Sequence, residues 1–311
     1  AALTILAALL VLPSLGVNFP TPTATLCLVA VFAVTGFVDD HLPLPSAAKL
    51  VLQAIGIGLF WLLQSAGNLF SGLPVLSGLS VLSGLALVGV LALVLVQLWW
   101  VNLFNFMDGA DGLAPGQVVL GAFGLGLCLF LLPKTAPLSG DGAFALLALV
   151  LGAALGLLVF TRPRARMFMG DCGALVLAAL VLVLAVEMTR LGYALAQVSV
   201  FFSLFIADAT LTLVGRAMSG QNPFQPHRDH GYQRFILHTQ AQGLRMGLKP
   251  DAARTRAHRR ALLWLIVLNG ALVIPLGLLA IAVDHSSAAI AVHVLAFVGA
   301  GIVRFGFQPA R

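Results

Sequence analysis

The residues best suited to chemistry are carboxylates that stand beside glycines at the ends of long apolar runs. Asp108 and Asp111 close the stretch Asn102-Leu-Phe-Asn105-Phe-Met-Asp108-Gly-Ala-Asp111-Gly, and Asp171 directly follows another glycine. Carboxylate oxygens are preferred Mg2+ ligands, and a bound divalent cation neutralises charge on a transferring phosphoryl group. Glycine lets the backbone approach a bulky anion closely. Both stretches therefore predict a site for chemistry on a diphosphate.

Two further polar clusters carry the basic side chains that such a site needs. Asp39 and Asp40 are adjacent and are followed by Lys49. Neighbouring carboxylates repel each other, and a lysine or a metal ion relieves that repulsion. A helix starting near Pro226 would place His227, His230 and Arg234 on one face, where they could bind phosphate. No P-loop and no GxGxxG motif is present, so side chains and a metal must hold the phosphates.

Each cluster also has a purely structural interpretation. Asp39 and Asp40 could form a solvated helix end, Asn102 and Asn105 could be polar contacts between membrane helices, and Asp171 could be an N-cap. Arg162, Arg164 and Arg166 are better explained as topology determinants and lipid-headgroup contacts than as catalytic groups. Four histidines lack polar companions and receive no role: His238, His258, His285 and His293. The conjunction of four clusters is more specific than any one of them.

The elements that position these clusters are membrane helices. The 311 residues are 60% hydrophobic and only 9% charged, well below the charge of a soluble domain. Ten continuous apolar segments approach the roughly 20 residues that span a bilayer: 2–17, 24–40, 47–66, 85–101, 116–133, 143–161, 173–190, 193–216, 260–282 and 289–305. The prediction is an all-α polytopic transmembrane bundle of about ten helices. It forms a single integral membrane domain over 1–311, with a cytoplasmic loop and interfacial helix at 217–258.

Basic residues divide very unequally between the two sides of this predicted topology. Alternation of the segments places 15 of the 17 Lys and Arg residues on one side, leaving Lys134 and Arg190 on the other. The positive-inside rule makes the first side cytoplasmic, and it places the C-terminus there too. Most carboxylates fall on the same side. We therefore expect a multi-pass protein of the plasma (inner) membrane with its polar site at the cytoplasmic face.

These motifs resemble those of the polyprenyl-phosphate N-acetylhexosamine-1-phosphate transferases, which are of the glycosyltransferase family 4 type. The family's aspartate pair and lysine match Asp39, Asp40 and Lys49, and its NxxNxxDGxDGL motif matches the stretch from Asn102 to Leu113. Its FMGDxGS motif matches residues 168–174, with alanine in place of the serine. Residues 227–234 are similar to the form found in the branch that initiates O-antigen or related surface glycans, and lack the triple histidine of the peptidoglycan enzyme.

The resemblance implies an activity and a partner set. It implies transfer of N-acetylhexosamine-1-phosphate from a UDP-sugar to polyprenyl (undecaprenyl) phosphate, releasing UMP and initiating a lipid-linked glycan of the lipopolysaccharide or cell-wall type. Membrane lipid is a further expected partner, and a homodimer is possible. No nucleic-acid partner is expected. Family members begin with a transmembrane helix and a basic loop ahead of the segment that starts this sequence, and both are expected to be missing here.

The resemblance also distributes roles among the clusters. Asp171 is the leading Mg2+ ligand, with Asp108 or Asp111 beside it, and Mn2+ is an alternative metal. Asp39 or Asp40 orients the attacking lipid phosphate or accepts its proton. The substrate-binding residues are Lys49, Asn102, Asn105, His227, His230 and Arg234. Direct attack is preferred over an aspartyl-phosphate intermediate because the acceptor phosphate is already a competent nucleophile.

Two rival functions fit parts of the sequence. A polytopic secondary transporter would explain the helix number and the intramembrane Asp208, but transporters bury ionisable groups near mid-membrane. Here the ionisable groups gather at one end of the helices. A CDP-alcohol phosphotransferase would use an aspartate motif that continues into arginine, whereas Pro115 follows Ala114 here. The transferase is therefore the preferred hypothesis, the transporter the alternative, and the CDP-alcohol enzyme ranks third.

Overall fold

The computed structural model describes residues 2–14, 21–64, 84–134, 141–222, 225 and 227–307. These residues form helices without strands, which confirms the all-α prediction. Thirteen α-helices occur within these ranges: α1 Ala2–Ser14, α2 Pro22–His41, α3 Ser46–Gln64, α4 Gly84–Met107, α5 Leu113–Leu131, α6 Asp141–Thr161, α7 Gly170–Arg190, α8 Leu195–Ser199, α9 Ser203–Met218, α10 Gly231–Arg245, α11 Pro250–Leu268, α12 Ile274–Ala282 and α13 Ser286–Gly306.

Nine helical spans in the described residues are long and apolar enough to cross a membrane. They correspond to nine of the ten predicted segments, because α8 and α9 form one span and α11 and α12 form another. The first predicted segment is the shorter apolar helix α1, and its residues 15–17 lie outside the described part. The chain is thus a multi-pass membrane protein.

Three predicted boundaries move by several residues. Helix α4 continues to Met107, so Asn102 and Asn105 are helical. Helix α11 begins at Pro250, ten residues before the apolar run, because a proline fits the first turn and charged residues extend a helix beyond the bilayer. The helix expected near Pro226 is α10, which begins at Gly231; Pro223, Phe224 and Pro226 lie outside the described residues.

The chain divides into two compact units, each assembled from three segments. Unit 1 comprises Ala1–Asn105, Thr135–Ala153 and Met169–Gly192, and unit 2 comprises Phe106–Lys134, Ala154–Phe168 and Tyr193–Arg311. Helices α4 and α6 therefore each contribute residues to both units.

Unit 1 is organised around α7, which is buried along almost its whole length. Helix α2 packs against α7, and the absence of a side chain at Gly36 allows the two helices to approach closely. A Cβ atom at Gly36 would lie 2.4 Å from the Cα of Cys172, so no larger residue fits without moving a helix. This contact brings the end of α2, with its paired aspartates, beside the start of α7.

Unit 2 contains a buried network of side-chain hydrogen bonds inside its apolar core. The Gln117 side chain on α5 donates to the backbone oxygen of Phe201 at 2.7 Å and exchanges hydrogen bonds with Asn269. Asn269 opens a π-helical turn, Asn269–Val273, that joins α11 to α12. Pro275 in the first turn of α12 cannot donate a backbone hydrogen bond, which explains why the regular ladder is interrupted there.

Candidate active site

Unit 1 gathers acidic residues from two helices around the ammonium group of Lys49. Asp39 lies near the end of α2 and Asp171 in the first turn of α7, while Lys49 lies in the first turn of α3. Lys49 is ion-paired to Asp39, and its Nζ lies 3.3 Å from Oδ2 of Asp171. The Asp39 carboxylate also accepts the Leu44 N–H at 2.7 Å, which fixes the short connection between α2 and α3.

Helix α4 adds two asparagines to this cluster, one turn apart. Asn105 donates to Oδ2 of Asp171 at 3.2 Å. Asn102 donates instead to Oε1 of Gln53 at 2.7 Å and to the Leu98 carbonyl at 2.8 Å. Asn105 therefore contacts the acidic cluster directly, whereas Asn102 fastens α4 to α3.

Asp40 has a different environment from its neighbour Asp39. Its two carboxylate oxygens accept the backbone N–H groups of Asp171 at 2.8 Å and Cys172 at 3.1 Å. The first N–H groups of a helix have no partner within that helix, and a negative charge there is favourable. Gly170 has a φ of 66° and a Cβ at this position would lie 2.7 Å from Oδ2 of Asp40. Asp40 is thus a cap for α7, supplied by another helix.

The donor set of the unit 1 cluster fits a hard divalent cation. Mg2+ typically takes one or two protein carboxylates and completes its shell with water and phosphate oxygens. Asp39 and Asp171 supply two carboxylates that share one ammonium neighbour, Lys49. Within the described residues no group of three His, Cys, Asp or Glu side chains forms a complete protein cage. The other predicted metal ligands, Asp108 and Asp111, belong to unit 2.

Asp111 in unit 2 joins two distant parts of the chain. Its Oδ1 lies 3.0 Å from Nδ1 of His258 on α11, and its backbone N–H donates to the same nitrogen at 3.1 Å. Its Oδ2 accepts the N–H of Ala165 at 3.4 Å. The assignment of no role to His258 was wrong on one point, since the residue does have a polar companion. Asp111 and His258 are 147 positions apart, so no sequence motif could have indicated that they are in contact.

Asp108 lies one residue beyond α4, beside contacts made by Tyr232. The Tyr232 hydroxyl donates to the Phe106 carbonyl and accepts the Gly109 N–H, both at 3.1 Å. Burial, followed by the negative charges of Asp208 and Asp108, raises the pKa of Tyr232 well above its ordinary range. Tyr232 therefore remains a neutral donor that fixes the backbone on both sides of Asp108.

The residues of the fourth cluster are only partly arranged as predicted. His227 precedes α10 and His230 is its N-cap, so they do not share a helical face with Arg234. Their rings are nevertheless stacked, with centroids 5.0 Å apart. Burial, and then the charges of His227 and Arg304, lower the pKa of His230 to about 3. His230 is consequently neutral at physiological pH.

Arg234 belongs to an ionic network centred on Asp229. Arg216 is ion-paired to Asp229, and the Arg234 guanidinium lies 3.7 Å from the same carboxylate. Arg304 of α13 donates to the Asp229 backbone oxygen at 3.4 Å. Burial and the charge of Arg216 lower the pKa of His227. The cluster therefore holds two guanidinium groups at the Asp229 carboxylate and a third at its backbone oxygen, with a neutral imidazole pair beside them.

Asp208 determines where α10 begins. Its carboxylate accepts the backbone N–H groups of Gly231 at 2.7 Å and Tyr232 at 3.0 Å. This is the same device as Asp40 on α7: an aspartate from one helix caps the start of another. The capping contact accounts for the intramembrane carboxylate that suggested a transporter.

A family model described as glycosyl transferase family 4 matches residues 22–189, which is more than half of the chain. The chain belongs to glycosyl transferase family 4. The matched region contains all of the predicted site residues except those of the fourth cluster.

Two kinds of known transferase are similar to this chain. The phospho-N-acetylmuramoyl-pentapeptide-transferase of Streptococcus thermophilus is 27% identical over 232 residues, covering 66% of this chain and 63% of the relative. The decaprenyl-phosphate N-acetylglucosaminephosphotransferase of Mycobacterium tuberculosis is 32% identical over 154 residues, covering 44% and 38%. The family 4 chain described here thus spans less than two thirds of the length of these relatives.

Proposed function

We propose that this chain transfers an N-acetylhexosamine-1-phosphate from a UDP-sugar to a polyprenyl phosphate, releasing UMP and starting a lipid-linked cell-surface glycan. The observation that carries the proposal is the junction of Asp39, Lys49 and Asp171 at one end of three helices in unit 1. A lysine held between two carboxylates can exchange one of them for an incoming phosphate. Membership of family 4 and the names of both relatives support the same reaction class.

In the proposed reaction an oxygen of the lipid phosphate attacks the β-phosphorus of the UDP-sugar. A new P–O bond forms to the lipid phosphate, and the bond from the β-phosphorus to the bridging oxygen breaks, so that UMP leaves with that oxygen. Lys49 binds the acceptor phosphate, and Asp39 orients it and takes any proton it carries. Asn105 holds the Asp171 carboxylate in place.

Mg2+ is the metal that this donor set suits, with Mn2+ as an alternative, and Asp171 would be its leading ligand. A cation there would neutralise charge on the diphosphate during transfer. In unit 2, Asp108 and Asp111 lie beside Gly109 and Gly112, which let the backbone approach a phosphate closely, and both remain candidate catalytic residues. His227 and the guanidinium of Arg234 remain phosphate-binding candidates, whereas His230 acts through packing because it is neutral and 2% exposed.

The proposed donor is a UDP-N-acetylhexosamine without a peptide. The His227-Arg228-Asp229-His230 sequence lacks the triple histidine of the peptidoglycan enzyme, which favours the branch that makes O-antigen or related glycans. Both relatives named above remain relevant comparisons, because one acts on a peptide-bearing sugar and the other is named for N-acetylglucosamine.

The test is transfer by the purified full chain in lipid vesicles. Vesicles contain polyprenyl phosphate, and each UDP-N-acetylhexosamine or UDP-MurNAc-pentapeptide is added separately with Mg2+. We expect UMP and a diphospho-lipid from a peptide-free donor, and a loss of about a hundredfold or more in the Asp171→Asn variant. Asp251→Asn is the matched control, since Asp251 is an exposed carboxylate at the start of α11.

Three results would count against the proposal. Normal turnover of Asp171→Asn would remove this residue from the reacting groups. A product formed only from the pentapeptide donor would reject the peptide-free substrate but keep the reaction class. Counterflow of a labelled solute across the vesicle membrane, without any UMP, would replace the transferase with the transporter.

A further inference from the structure

An arginine-lined groove lies in unit 2, and none of the carboxylates discussed above lines it. Its volume is about 690 Å³, and one wall is formed by the loop that follows α6 and the other by the middle of α11. Arg162, Arg164 and Arg166 line it from the loop, and Arg259 lines it from α11. A smaller adjoining groove of about 310 Å³ is also lined by Arg164 and Arg259, and adds Arg256 and Arg260.

These cations have no acidic partner among the described residues. No ion pair joins any of the six arginines to a carboxylate in that part of the chain, and no Asp or Glu lines either groove. Six guanidinium groups concentrated without counter-charge create a strongly positive surface. Guanidinium groups recognise phosphate oxygens with two parallel hydrogen bonds, so a phosphate is the complementary ligand.

The rest of the groove lining is apolar and exposed. Val159 on α6 and Leu263 and Ile266 on α11 line it and are 55%, 58% and 48% exposed. All three lie in spans that are apolar enough to cross a membrane. A ligand that fits both the arginines and the apolar part of the lining therefore has a phosphate at one end and hydrocarbon at the other.

The loop wall is held in a fixed and unusual conformation. Arg164 has a φ of 69°, the left-handed region that non-glycine residues rarely adopt. Hydrogen bonds from Arg166 N–H to the Phe160 carbonyl at 2.8 Å and from Ala165 N–H to Asp111 at 3.4 Å hold the loop around it. Such a conformation persists only where surrounding contacts enforce it, and it often marks a functional site. Here it places Arg164 in the lining of both grooves.

We propose that this groove binds an anionic phospholipid of the bilayer, with its phosphate on the arginines and an acyl chain along Val159, Leu263 and Ile266. The polyprenyl phosphate acceptor is the less suitable occupant, because its phosphate must meet carboxylates during transfer and the groove is lined by none. Asp111 accepts a hydrogen bond from the loop and contacts His258 on α11, so an occupied groove would steady a residue of the candidate active site.

The experiment measures lipid retention by the full chain in phosphatidylcholine nanodiscs with increasing phosphatidylglycerol. The test variant is Arg164→Gln with Arg259→Gln, since both residues line both grooves. The matched control is Arg245→Gln with Lys249→Gln, which removes two exposed charges, one at the last residue of α10 and one just before α11. Each interfacial arginine contributes roughly fivefold to anionic-lipid affinity, so the test variant should bind phosphatidylglycerol roughly thirtyfold more weakly while the control binds as the wild type does.

A second variant separates lost binding from lost folding. Glycine suits a φ of 69° better than arginine does, so Arg164→Gly should fold with unchanged stability in pure phosphatidylcholine and still lose phosphatidylglycerol affinity. The proposal would be overturned if the test and control pairs lost phosphatidylglycerol affinity equally. It would also be overturned if the wild type retained phosphatidylcholine as well as it retains phosphatidylglycerol. Retention of polyprenyl phosphate in place of phosphatidylglycerol would assign the groove to the acceptor. Full displacement by inorganic phosphate would make it a site for free anions.

Discussion

Asp39 and Asp40 are adjacent in sequence, yet their carboxylates contact different groups. Asp39 is paired with Lys49, and Asp40 accepts two backbone N–H groups at the start of α7. A substrate phosphate can replace the Asp39 carboxylate as the partner of Lys49. Removal of the Asp40 carboxylate would instead leave backbone N–H groups at the start of α7 without an acceptor, which destabilises the structure. We therefore propose that Asp39 takes part in the reaction, whereas Asp40 holds the start of α7 in place.

This division predicts opposite phenotypes for the two aspartates. We expect Asp39→Asn to reduce transfer by about a hundredfold with little change in melting temperature. Asp40→Ala should lower the free energy of unfolding by about 1–2 kcal/mol, the usual effect of losing a helix cap, and should keep measurable transfer below its melting temperature. Thermal melting and UMP release from the same preparations decide the matter. Full activity in Asp39→Asn would contradict the division.

His230 makes stability depend on pH. Its pKa falls from an ordinary 6.5 to about 3 on folding, because the ring is buried and lies beside His227 and Arg304. Between these values the unfolded chain binds a proton that the folded chain excludes. The stability that His230 contributes is therefore fully present above pH 6.5 and is lost as the pH falls towards 3.

The corresponding measurement compares melting temperatures from pH 7 downward in three proteins. The wild type should lose more stability on acidification than His230→Gln, which has no imidazole to titrate at that position. His238→Gln serves as the control, because His238 is exposed and should change the slope little. Identical slopes in the wild type and His230→Gln would show that this histidine does not exclude a proton on folding.

At the scale of the elements, glycine decides how closely α2 and α7 approach. An alanine Cβ at Gly36 would lie 2.4 Å from the Cys172 Cα, which is far inside van der Waals contact. We expect Gly36→Ala to separate the helices, to destabilise the protein by about 1–3 kcal/mol and to reduce transfer, because Asp39 and Asp171 lie on these two helices.

The matched control is Gly58→Ala on α3, where an added Cβ meets no atom within 4 Å. Alanine is the better helix former by up to about 1 kcal/mol, so this variant should be as stable as the wild type or more so. Melting temperatures and transfer rates of both variants provide the measurement. If the two alanines behave alike, the close packing of α2 on α7 does not control the site.

The elements also show which features could be read from sequence. Membrane spans were predictable because a helix in lipid must satisfy its own backbone and cover it with apolar side chains, which leaves continuous runs. The grouping of Asp39, Lys49 and Asp171 was predictable because each ends or begins such a run. The start of α10 was not, since Asp208, more than twenty positions earlier, caps it at Gly231. The Asp111–His258 contact likewise joins residues whose spacing carries no signal.

For the whole molecule, the strongest remaining prediction is its orientation in the membrane. Fifteen of the seventeen Lys and Arg residues are predicted on the cytoplasmic side, and both proposed phosphate-binding regions depend on that assignment. Met246 at the end of α10 and Ser286 at the start of α13 are exposed and are predicted to lie on opposite sides. A single cysteine at either position, in a variant without Cys27, Cys128 and Cys172, reports which side it occupies.

We expect a membrane-impermeant maleimide to label Ser286→Cys on intact cells, and to label Met246→Cys only after the membrane is opened. The physical reason is that basic residues near the ends of a span resist transfer across the membrane, and Arg245 and Lys249 flank Met246. A UDP-sugar donor made in the cytoplasm could then reach Asp171 without crossing the bilayer. Labelling of Met246→Cys on intact cells would reverse the orientation and leave the proposed site on the side where no nucleotide-sugar is supplied.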